Sequence, residues 1–338
     1  MSSTQGDSRL TQMMAWAEGI EVLSGLSAAP ASADASFRRY FRFANGEKSF
    51  IVMDAPPQQE DCEPFIRVAG YLESFQLNAP RVLEADLEQG FLLLSDLGTQ
   101  SYLAELERRP QSVNELYSDA LTALLQMQVK GAACQSNLPP YDVALLEREL
   151  ALFSDWLCGD YLQLSLSNEE QSEWNALCQR LIRNALDQPP VFVHRDYHSR
   201  NLMVSVTHNP GIIDFQDAVE GPLTYDLVSL LKDCYIRWPA EAVRAWARQF
   251  YAQLDNGLRT QLDERTFMRH FEFTGVQRHL KAAGIFARLN LRDGKPGYMQ
   301  DIPRTLGYVR ELGHVHSELE FIARFIDERV LPALEAAA

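Results

Sequence analysis

The chain has 338 residues, and its 31 basic and 46 acidic side chains give a formal net charge of −15. Such a charge repels phosphate backbones and anionic lipids, which argues against a general nucleic-acid binder or a protein of anionic membrane surfaces. The hydrophobic fraction of 46% argues against a disordered acidic tail. We expect one large domain or two lobes of about 100–200 residues each.

The start of the chain has no basic segment followed by an apolar run, so residues 1–20 predict an amphipathic helix rather than a signal peptide. The sequence contains no run of about 18 apolar residues, the length of a membrane span. The five cysteines form no CxxC pair, which predicts reduced thiols. Together these features predict a cytoplasmic protein.

Strand signals dominate the first 97 residues. The predicted strands are residues 36–43, 50–54, 81–86 and 91–96. Asn45-Gly46 lies between the first two, and this dipeptide favours a two-residue hairpin turn. Residues 60–75 predict a helix with one apolar face, formed by Phe65, Val68, Ala69 and Leu72.

Helical patterns dominate after Gly98. The predicted helices are residues 112–129, 142–158, 169–186 and much of the chain from Leu223 onward, and short strands are predicted at 191–193, 202–206 and 212–215. This order predicts an α+β fold with a small β-rich, nucleotide-binding N-lobe, residues 1–97. The large helical C-lobe, residues 98–338, is predicted to carry the catalytic loop and the substrate-binding helices.

A polar segment, HRDYHSRN, lies between two apolar strands, and Asp214 follows thirteen residues after its end. Asp196 could accept a proton from an alcohol, and Asn201 and Asp214 offer the hard oxygen ligands that Mg²⁺ prefers. The five-residue interval from Asp196 to Asn201 is that of phosphoryl-transfer catalytic loops. The segment therefore predicts a kinase of small molecules.

HRDYHSRN and the following IIDFQDA resemble the aminoglycoside phosphotransferase and choline kinase family, whose motifs read H-x-D-x-H-x-x-N and I-D-[FW]. That family has the protein-kinase-like two-lobed fold, and the resemblance extends from about residue 35 to about residue 312. The matching positions are His194, Asp196, His198, Asn201, Ile213, Asp214 and Phe215.

The resemblance implies a role for each matched residue. Asp196 would be the catalytic base or the group that orients the acceptor hydroxyl, and Asn201 and Asp214 would hold Mg²⁺. His194 would brace the loop, and His198 would brace it or contact the substrate. Asp226 would bond to the catalytic loop and cap its own helix. The connector formed by Ser95, Asp96, Leu97 and Gly98 would bind adenine through backbone groups.

Four further segments, residues 34–42, 53–57, 91–98 and 277–289, resemble the amino-sugar kinases of Gram-negative cell-wall recycling, a branch of this family. That branch uses ATP to phosphorylate the anomeric (C1) hydroxyl of N-acetylmuramate and N-acetylglucosamine. The resemblance therefore implies ATP and Mg²⁺ as cofactors and a small amino sugar as partner, and we expect a monomer. Two alternatives stay open: a kinase of another small alcohol (an aminoglycoside, choline or homoserine), which an acidic surface would suit, and a non-catalytic pseudokinase.

Met53 motivates the second alternative, because it occupies the strand position where kinase-like folds carry a lysine for the phosphates. A two-residue turn would pair Ala44 with Glu47, which places Arg38 opposite Met53 and turns Arg39 to the other face. We therefore predict that Arg38 reaches the phosphates, with Arg39 as the alternative if the register differs.

A group of polar and cationic residues follows position 276, where few acids are nearby. One interpretation is a solvated helix face. The other is a wall that contacts the sugar and binds a lactyl carboxylate, since arginine suits carboxylates bidentately. The predicted wall residues are Gln277, Arg278, Lys281 and Arg288.

Overall fold

The computed structural model describes residues 8–33 and 37–337, without the side chains of residues 32 and 33. Residues 1–7, 34–36 and 338 lie outside the described residues, and they include the starts of the predicted N-terminal helix and of the predicted strand 36–43. The chain forms two compact units: the residues up to Thr99 together with Ser205–Asp217, and Gln100–Val204 together with Ala218 onward. The units thus divide two residues after the predicted boundary, and Ser205–Asp217 joins the first unit.

The first unit is built on a five-stranded antiparallel sheet of order β1-β2-β3-β5-β4. The strands are β1 (Ser27–Ala33), β2 (Arg39–Ala44), β3 (Ser49–Asp54), β4 (Val82–Asp86) and β5 (Phe91–Ser95), and the helices are α1 (Ser8–Glu18) and α2 (Glu63–Ser74). Met13 and Ala17 of α1 belong to one buried cluster with Phe43, Val52 and Leu93 of the sheet. This cluster is the core of the unit, because it covers a sheet face that would otherwise expose apolar side chains.

The hairpin between β2 and β3 differs from the prediction. Ala44 pairs with Ser49, not Glu47, and the loop has four residues rather than two. The Asn45 side chain explains the difference, because its Oδ1 accepts hydrogen bonds from the amides of Glu47 (3.2 Å) and Lys48 (3.1 Å) and so closes the longer loop.

The corrected register changes the neighbours of Met53. Tyr40 pairs with Met53, and Arg39 pairs with Asp54. The prediction that Arg38 lies directly opposite Met53 is therefore wrong, since Arg38 precedes the first residue of β2. The two-residue shift leaves the alternation of faces unchanged, so only the pairing is altered.

Other predictions for the first unit are confirmed. The helix predicted at 60–75 is α2, and its four predicted apolar residues are buried. The predicted pair 81–86 and 91–96 is β4 and β5.

Strand β1, whose sequence is SAAPASA, was not predicted. The short strand β8 (Gly211–Ile212) also belongs to this unit, where the Ile212 amide donates to the Asn78 carbonyl at 2.7 Å.

The second unit is mainly helical. Its helices are α3 (Tyr102–Arg108), α4 (Val113–Gly131), α5 (Val143–Leu152), α6 (Asn168–Leu186), α7 (Tyr225–Leu231), α8 (Ala240–Gln253), α9 (Asn256–Gln261), α10 (Glu264–Asp293), α11 (Ile302–Gly313), α12 (Glu320–Phe325) and α13 (Leu331–Ala337). Its strands are β6 (Pro190–Val193), β7 (Leu202–Met203) and β9 (Val219–Pro222), of which β6 and β9 pair antiparallel. The helix predicted at 142–158 is α5 continued by a π-helical segment, Phe153–Tyr161.

Helix α10 has thirty residues and is buried along most of its middle. It packs closely on the junction of α5 and the π-helical segment, because a Cβ at Gly284 would lie 2.2 Å from the carbonyl carbon of Leu152. A helix buried on nearly all sides is the central element of a large unit. In the parts of the chain that the structure describes, no helix is both long and apolar enough to cross a bilayer.

Candidate active site

The predicted catalytic loop begins directly after β6 and is held by one buried carboxylate. Asp226 of α7 accepts hydrogen bonds from the amides of His194 (2.6 Å) and Arg195 (2.9 Å). These bonds fix the backbone at Arg195, whose φ is 78°. Residues other than glycine rarely adopt this backbone conformation, and those that do are often found in functional sites. Because both oxygens bond to the loop, the prediction that Asp226 also caps its helix is wrong: Thr224 is at the N-cap, without a side-chain cap bond.

The Asp196 carboxylate lies among cations. Burial by itself opposes its ionisation, but the charges of Lys281, His198, Arg278 and Arg195 outweigh burial and lower the pKa of Asp196 to about 2. Asp196 is therefore ionised at neutral pH and is a weak base. Its chemistry is that of a fixed hydrogen-bond acceptor, able to orient a hydroxyl that lies beside it.

Two of these cations, Arg195 and Lys281, are themselves held by Glu149 of α5. Its Oε1 contacts Arg195 Nη2 at 2.5 Å and Lys281 Nζ at 2.8 Å, while Oε2 accepts hydrogen bonds from Tyr141 and from Gln277 Nε2 (3.0 Å). Burial raises the pKa of Glu149, but Lys281 and Arg195 prevail and lower it to about 2. Two of the predicted wall residues, Gln277 and Lys281, thus bond to an internal carboxylate.

Arg278 is placed differently, although it lies on the same helix. Only 6% of its surface is exposed, and its Nη1 donates a hydrogen bond to the Cys234 thiol at 3.7 Å. Among the described residues it forms no ion pair, and the nearby charge of Asp196 stabilises its cationic form. A buried guanidinium without a carboxylate partner is suited to an anionic or strongly polar ligand.

The segment after α7 holds the other end of the loop. Asp233 accepts hydrogen bonds from the Ser199 amide (2.9 Å) and hydroxyl (2.5 Å). The His198 ring meets the Tyr235 ring edge-on at 5.3 Å. Burial lowers the pKa of His198, and within the described residues its Nδ1 atom has no hydrogen-bond partner. His198 therefore offers a ring nitrogen with hydrogen-bonding capacity near Asp196.

His194 and Asn201 shape the loop from inside. The Asp196 amide donates to His194 Nδ1 at 3.2 Å, and the His194 ring packs edge-on against Tyr197. Asn201 Nδ2 donates to the Asp196 carbonyl at 3.1 Å. The amide oxygen is thus the atom of Asn201 that could ligate a metal. Arg288, the last predicted wall residue, lies two turns beyond Lys281 on α10 and is half-buried.

In the first unit, both candidate phosphate-binding arginines are paired with acids. Arg38 Nη2 lies 2.8 Å from Glu60, and both side chains are almost buried. Arg39 Nη2 lies 2.5 Å from the fully buried Asp54, which Arg9 also contacts at 2.7 Å. Each of the two arginines thus forms a charge pair with an acid of the same unit.

The predicted adenine-binding connector is held by side chains. Asp96 contacts Arg42 Nε at 2.6 Å and accepts a hydrogen bond from the Gly98 amide at 2.9 Å, while Ser95 Oγ accepts one from the Arg81 amide. Within the described residues, the backbone N–H and C=O of Leu97 have no hydrogen-bond partner. A rigid connector with such groups can bind a flat heterocycle edge-on.

Asp214 also lies in the first unit and has a strained backbone, with a φ of 65°. Its Oδ1 accepts a hydrogen bond from Gln216 Nε2 at 2.8 Å. The next residue, Phe215, is fully buried and packs on Phe65 of α2 with 4.8 Å between ring centres. The buried Phe215 ring therefore anchors the strained backbone of Asp214, the residue before it.

A family model described as "Phosphotransferase enzyme family" matches residues 27–268. The chain belongs to this phosphotransferase family. Among its relatives, the N-acetylmuramate/N-acetylglucosamine kinase of Pseudomonas aeruginosa is 46% identical over 90% of this chain and 91% of its own length. The kinase of the same name from Pseudomonas putida is 43% identical over 95% of this chain and 97% of its own length.

The fold of this phosphotransferase is that of protein-kinase-like enzymes, as predicted. The structure titled as a gentamicin complex of APH(2")-IIa matches with a TM-score of 0.61 at 15% identity, over 90% of this chain and 97% of that one. Similarity at this level of identity shows the fold alone. The small antiparallel sheet and the large helical unit are the parts that the sequence predicted.

Asn201 and Asp214 are the predicted ligands of Mg²⁺. In residues 8–33 and 37–337, no three His, Cys, Asp or Glu side chains come together as a metal site. Mg²⁺ typically takes one or two protein carboxylates and completes its shell with substrate phosphates and water. Asn201 in the helical unit and Asp214 in the first unit each carry a hard oxygen of the type that Mg²⁺ prefers.

The sequence did not reveal three groups that shape the site. Glu149 and Asp233 look like ordinary polar positions of helical segments, and only the fold shows that they bond to the catalytic loop. Arg195 had a detectable signal, because it lies beside Asp196 in the motif. A cation at such a position needs a buried acid as partner, and that requirement could have prompted a search for one.

Proposed function

We propose that this phosphotransferase transfers the γ-phosphoryl group of ATP to the anomeric 1-hydroxyl of N-acetylmuramate and N-acetylglucosamine, as a cytoplasmic step of peptidoglycan recycling. The observation that carries the proposal is the 46% identity, over 90% of the chain, to a kinase named for these two sugars. The five free cysteines support the cytoplasmic location, because reduced thiols are typical there.

In the proposed reaction Asp196 accepts a hydrogen bond from the sugar hydroxyl and aims its oxygen at the γ-phosphorus. The bond from the sugar oxygen to phosphorus forms, the bond to the β,γ-bridging oxygen breaks, and ADP leaves. The proton of the hydroxyl passes to Asp196 late, because a carboxylate of such low pKa is a weak base and the transition state is loose. Orientation is thus its main contribution.

Mg²⁺, when bound, would neutralise charge on the phosphate oxygens, and Asn201 and Asp214 stay its predicted ligands. We further propose that His198 and Arg278 contact the sugar, since both offer hydrogen-bonding groups beside Asp196. Gln277 and Lys281 would act through Glu149, by holding Arg195 in place. Arg288, two turns beyond Lys281 on α10, would contact the end of the substrate that is farther from Asp196.

On the nucleotide side, we propose that the connector holds adenine and that Arg38 binds the phosphates. Replacing Arg38 with alanine should raise KM for ATP about ten-fold, because the cation proposed to bind the phosphates is lost. The matched variant Arg39→Ala should have the smaller effect on KM, because Arg39 neutralises Asp54 together with Arg9. Steady-state ADP release at varied ATP measures both, and a loss confined to Arg39→Ala would refute the assignment.

The activity itself is tested by an ADP-release assay on N-acetylmuramate, N-acetylglucosamine, choline, homoserine and aminoglycosides. Turnover of the two amino sugars supports the proposal, whereas preference for choline, homoserine or an aminoglycoside would contradict it. Absence of ADP release with every acceptor would favour a pseudokinase. Product NMR then shows whether the phosphate is on C1.

A further inference from the structure

Arg200 lies in the catalytic loop immediately before Asn201, and its side chain is exposed. Its guanidinium carbon is 3.7 Å from the centre of the Tyr235 ring and 5.4 Å from that of Tyr298. Contact with two aromatic rings restricts the plane and position of the cation. Arg200 therefore has less rotational freedom than an ordinary surface arginine.

The rings that hold Arg200 form an aromatic surface next to the proposed sugar site. Tyr235 contacts the ring of His198 at 5.3 Å and that of Phe286 at 6.1 Å. Phe286 in turn stacks on Tyr298 at 5.7 Å. Aromatic rings beside polar groups suit a sugar ring, which has apolar and hydroxylated faces.

The acids closest to Arg200 are committed to other donors. Asp301, which feels the charge of Arg200, accepts a hydrogen bond from Arg304 Nη1 at 2.7 Å. Asp233, two residues before Tyr235, is bonded to the catalytic loop. Within residues 8–33 and 37–337, Arg200 consequently has no hydrogen bond or ion pair to a side-chain acid.

We propose that Arg200 binds the carboxylate that N-acetylmuramate carries and N-acetylglucosamine lacks, an inference that rests on the proposed function. A planar guanidinium presents parallel N–H donors to a carboxylate, and the pair is bidentate. The two rings contact the cation, and no side-chain acid among the described residues occupies its N–H donors. Arg200 is thus a specificity-determining residue for the acidic sugar.

Arg278 has a different position and hence a different part. It is buried beside Asp196, so it contacts the reacting end of the acceptor, which the two sugars share. The carboxylate of N-acetylmuramate lies on an ether substituent away from C1. The outer, exposed arginine is therefore the one in place for it.

The test compares kcat/KM for the two sugars in Arg200→Met, Arg200→Lys and Arg278→Met. Arg200→Met should lower kcat/KM for N-acetylmuramate about ten-fold more than for N-acetylglucosamine, because a charge-assisted bidentate contact is lost. Arg200→Lys should change the ratio of kcat/KM for the two sugars less than Arg200→Met does. Lysine keeps the positive charge but lacks the planar guanidinium that binds a carboxylate through two N–H groups. Arg265→Met, which removes an equally exposed arginine of α10, should leave the ratio of the two sugars unchanged.

Tyr298→Leu provides a second route that leaves the loop sequence intact. It should lower the preference for N-acetylmuramate in the same direction, because one of the two rings is removed. Equal losses for both sugars in Arg200→Met, or a shift in KM for ATP without a change in the sugar ratio, would overturn the proposal. A sugar-dependent loss in Arg278→Met alone would assign the carboxylate to Arg278 and also overturn it. If the unmodified enzyme phosphorylates neither sugar, the proposed function fails and this inference fails with it.

Discussion

Replacing Asp196 with asparagine is expected to lower kcat about a thousand-fold and to change KM for ATP no more than about two-fold. Asparagine keeps the shape and a hydrogen-bond acceptor but loses the negative charge. In the proposed reaction that charge would hold the acceptor hydroxyl, and it lies near Lys281, Arg278 and Arg195. The loss should appear in single-turnover measurements of sugar phosphate, where chemistry is separated from product release.

The pH dependence of the same reaction gives an independent check. Because the pKa of Asp196 is lowered to about 2, the carboxylate stays ionised as the pH falls through 6 and 5. The wild-type rate should therefore show no acidic limb from Asp196 above about pH 4.

The matched control for Asp196→Asn is Asp160→Asn, at an exposed carboxylate of the same unit, which should retain full turnover. Near-normal turnover of Asp196→Asn would remove this residue from the proposed reaction.

Replacing Glu149 with glutamine should destabilise the helical unit by about 3 kcal/mol at pH 7. The change leaves Arg195 and Lys281 buried without their counter-charge, and breaking one partner of a buried ion pair typically costs about 3–5 kcal/mol. Lowering the pKa from 4.5 to about 2 in the folded state gives a stabilisation of similar size. Urea unfolding followed by far-UV circular dichroism measures the difference.

The stabilisation by Glu149 also has a defined pH window. A carboxyl whose pKa is lower in the folded state stabilises the fold above its unfolded value, and the stabilisation disappears as the pH falls toward the folded value. The difference between wild type and Glu149→Gln should thus be complete at pH 7 and shrink between about pH 4.5 and pH 2. Glu147→Gln, an exposed position on the same helix, should show neither the loss nor the pH dependence. Equal losses in both variants would mean that the ion pairs contribute nothing specific.

Patterns of local sequence predicted the elements that carry strong signals. Helix α2, the pair β4 and β5 and the residues of the catalytic motif follow from periodicity, turn residues and motif spacing. Strand β1 was missed because SAAPASA has no β-branched or aromatic residue, so its strand conformation depends on pairing with β2. The hairpin register was wrong because the Asn45 side chain, rather than the Asn-Gly dipeptide, determines the loop length.

The sequence predicted the motif positions of the candidate site but not the residues that hold the motif in place. Asp196 and Asn201 are recognisable from their interval, whereas Glu149 lies 46 residues before Arg195 in the chain. Such a partner cannot be found from spacing, because the two residues meet only when helices pack. The same holds for Gln277 and Lys281, whose cationic or polar character was predicted but whose acceptor was not.

The bonds of Glu149 have a consequence for how this enzyme acquires activity during folding. Gln277 is separated from Glu149 by 128 residues and from Tyr141 by 136. Contacts of such sequence separation close large loops, which is slow compared with the formation of single helices. The charge environment of Asp196 therefore cannot assemble from a fragment ending before α10. Catalytic competence is acquired only when α10 has reached the centre of the helical unit.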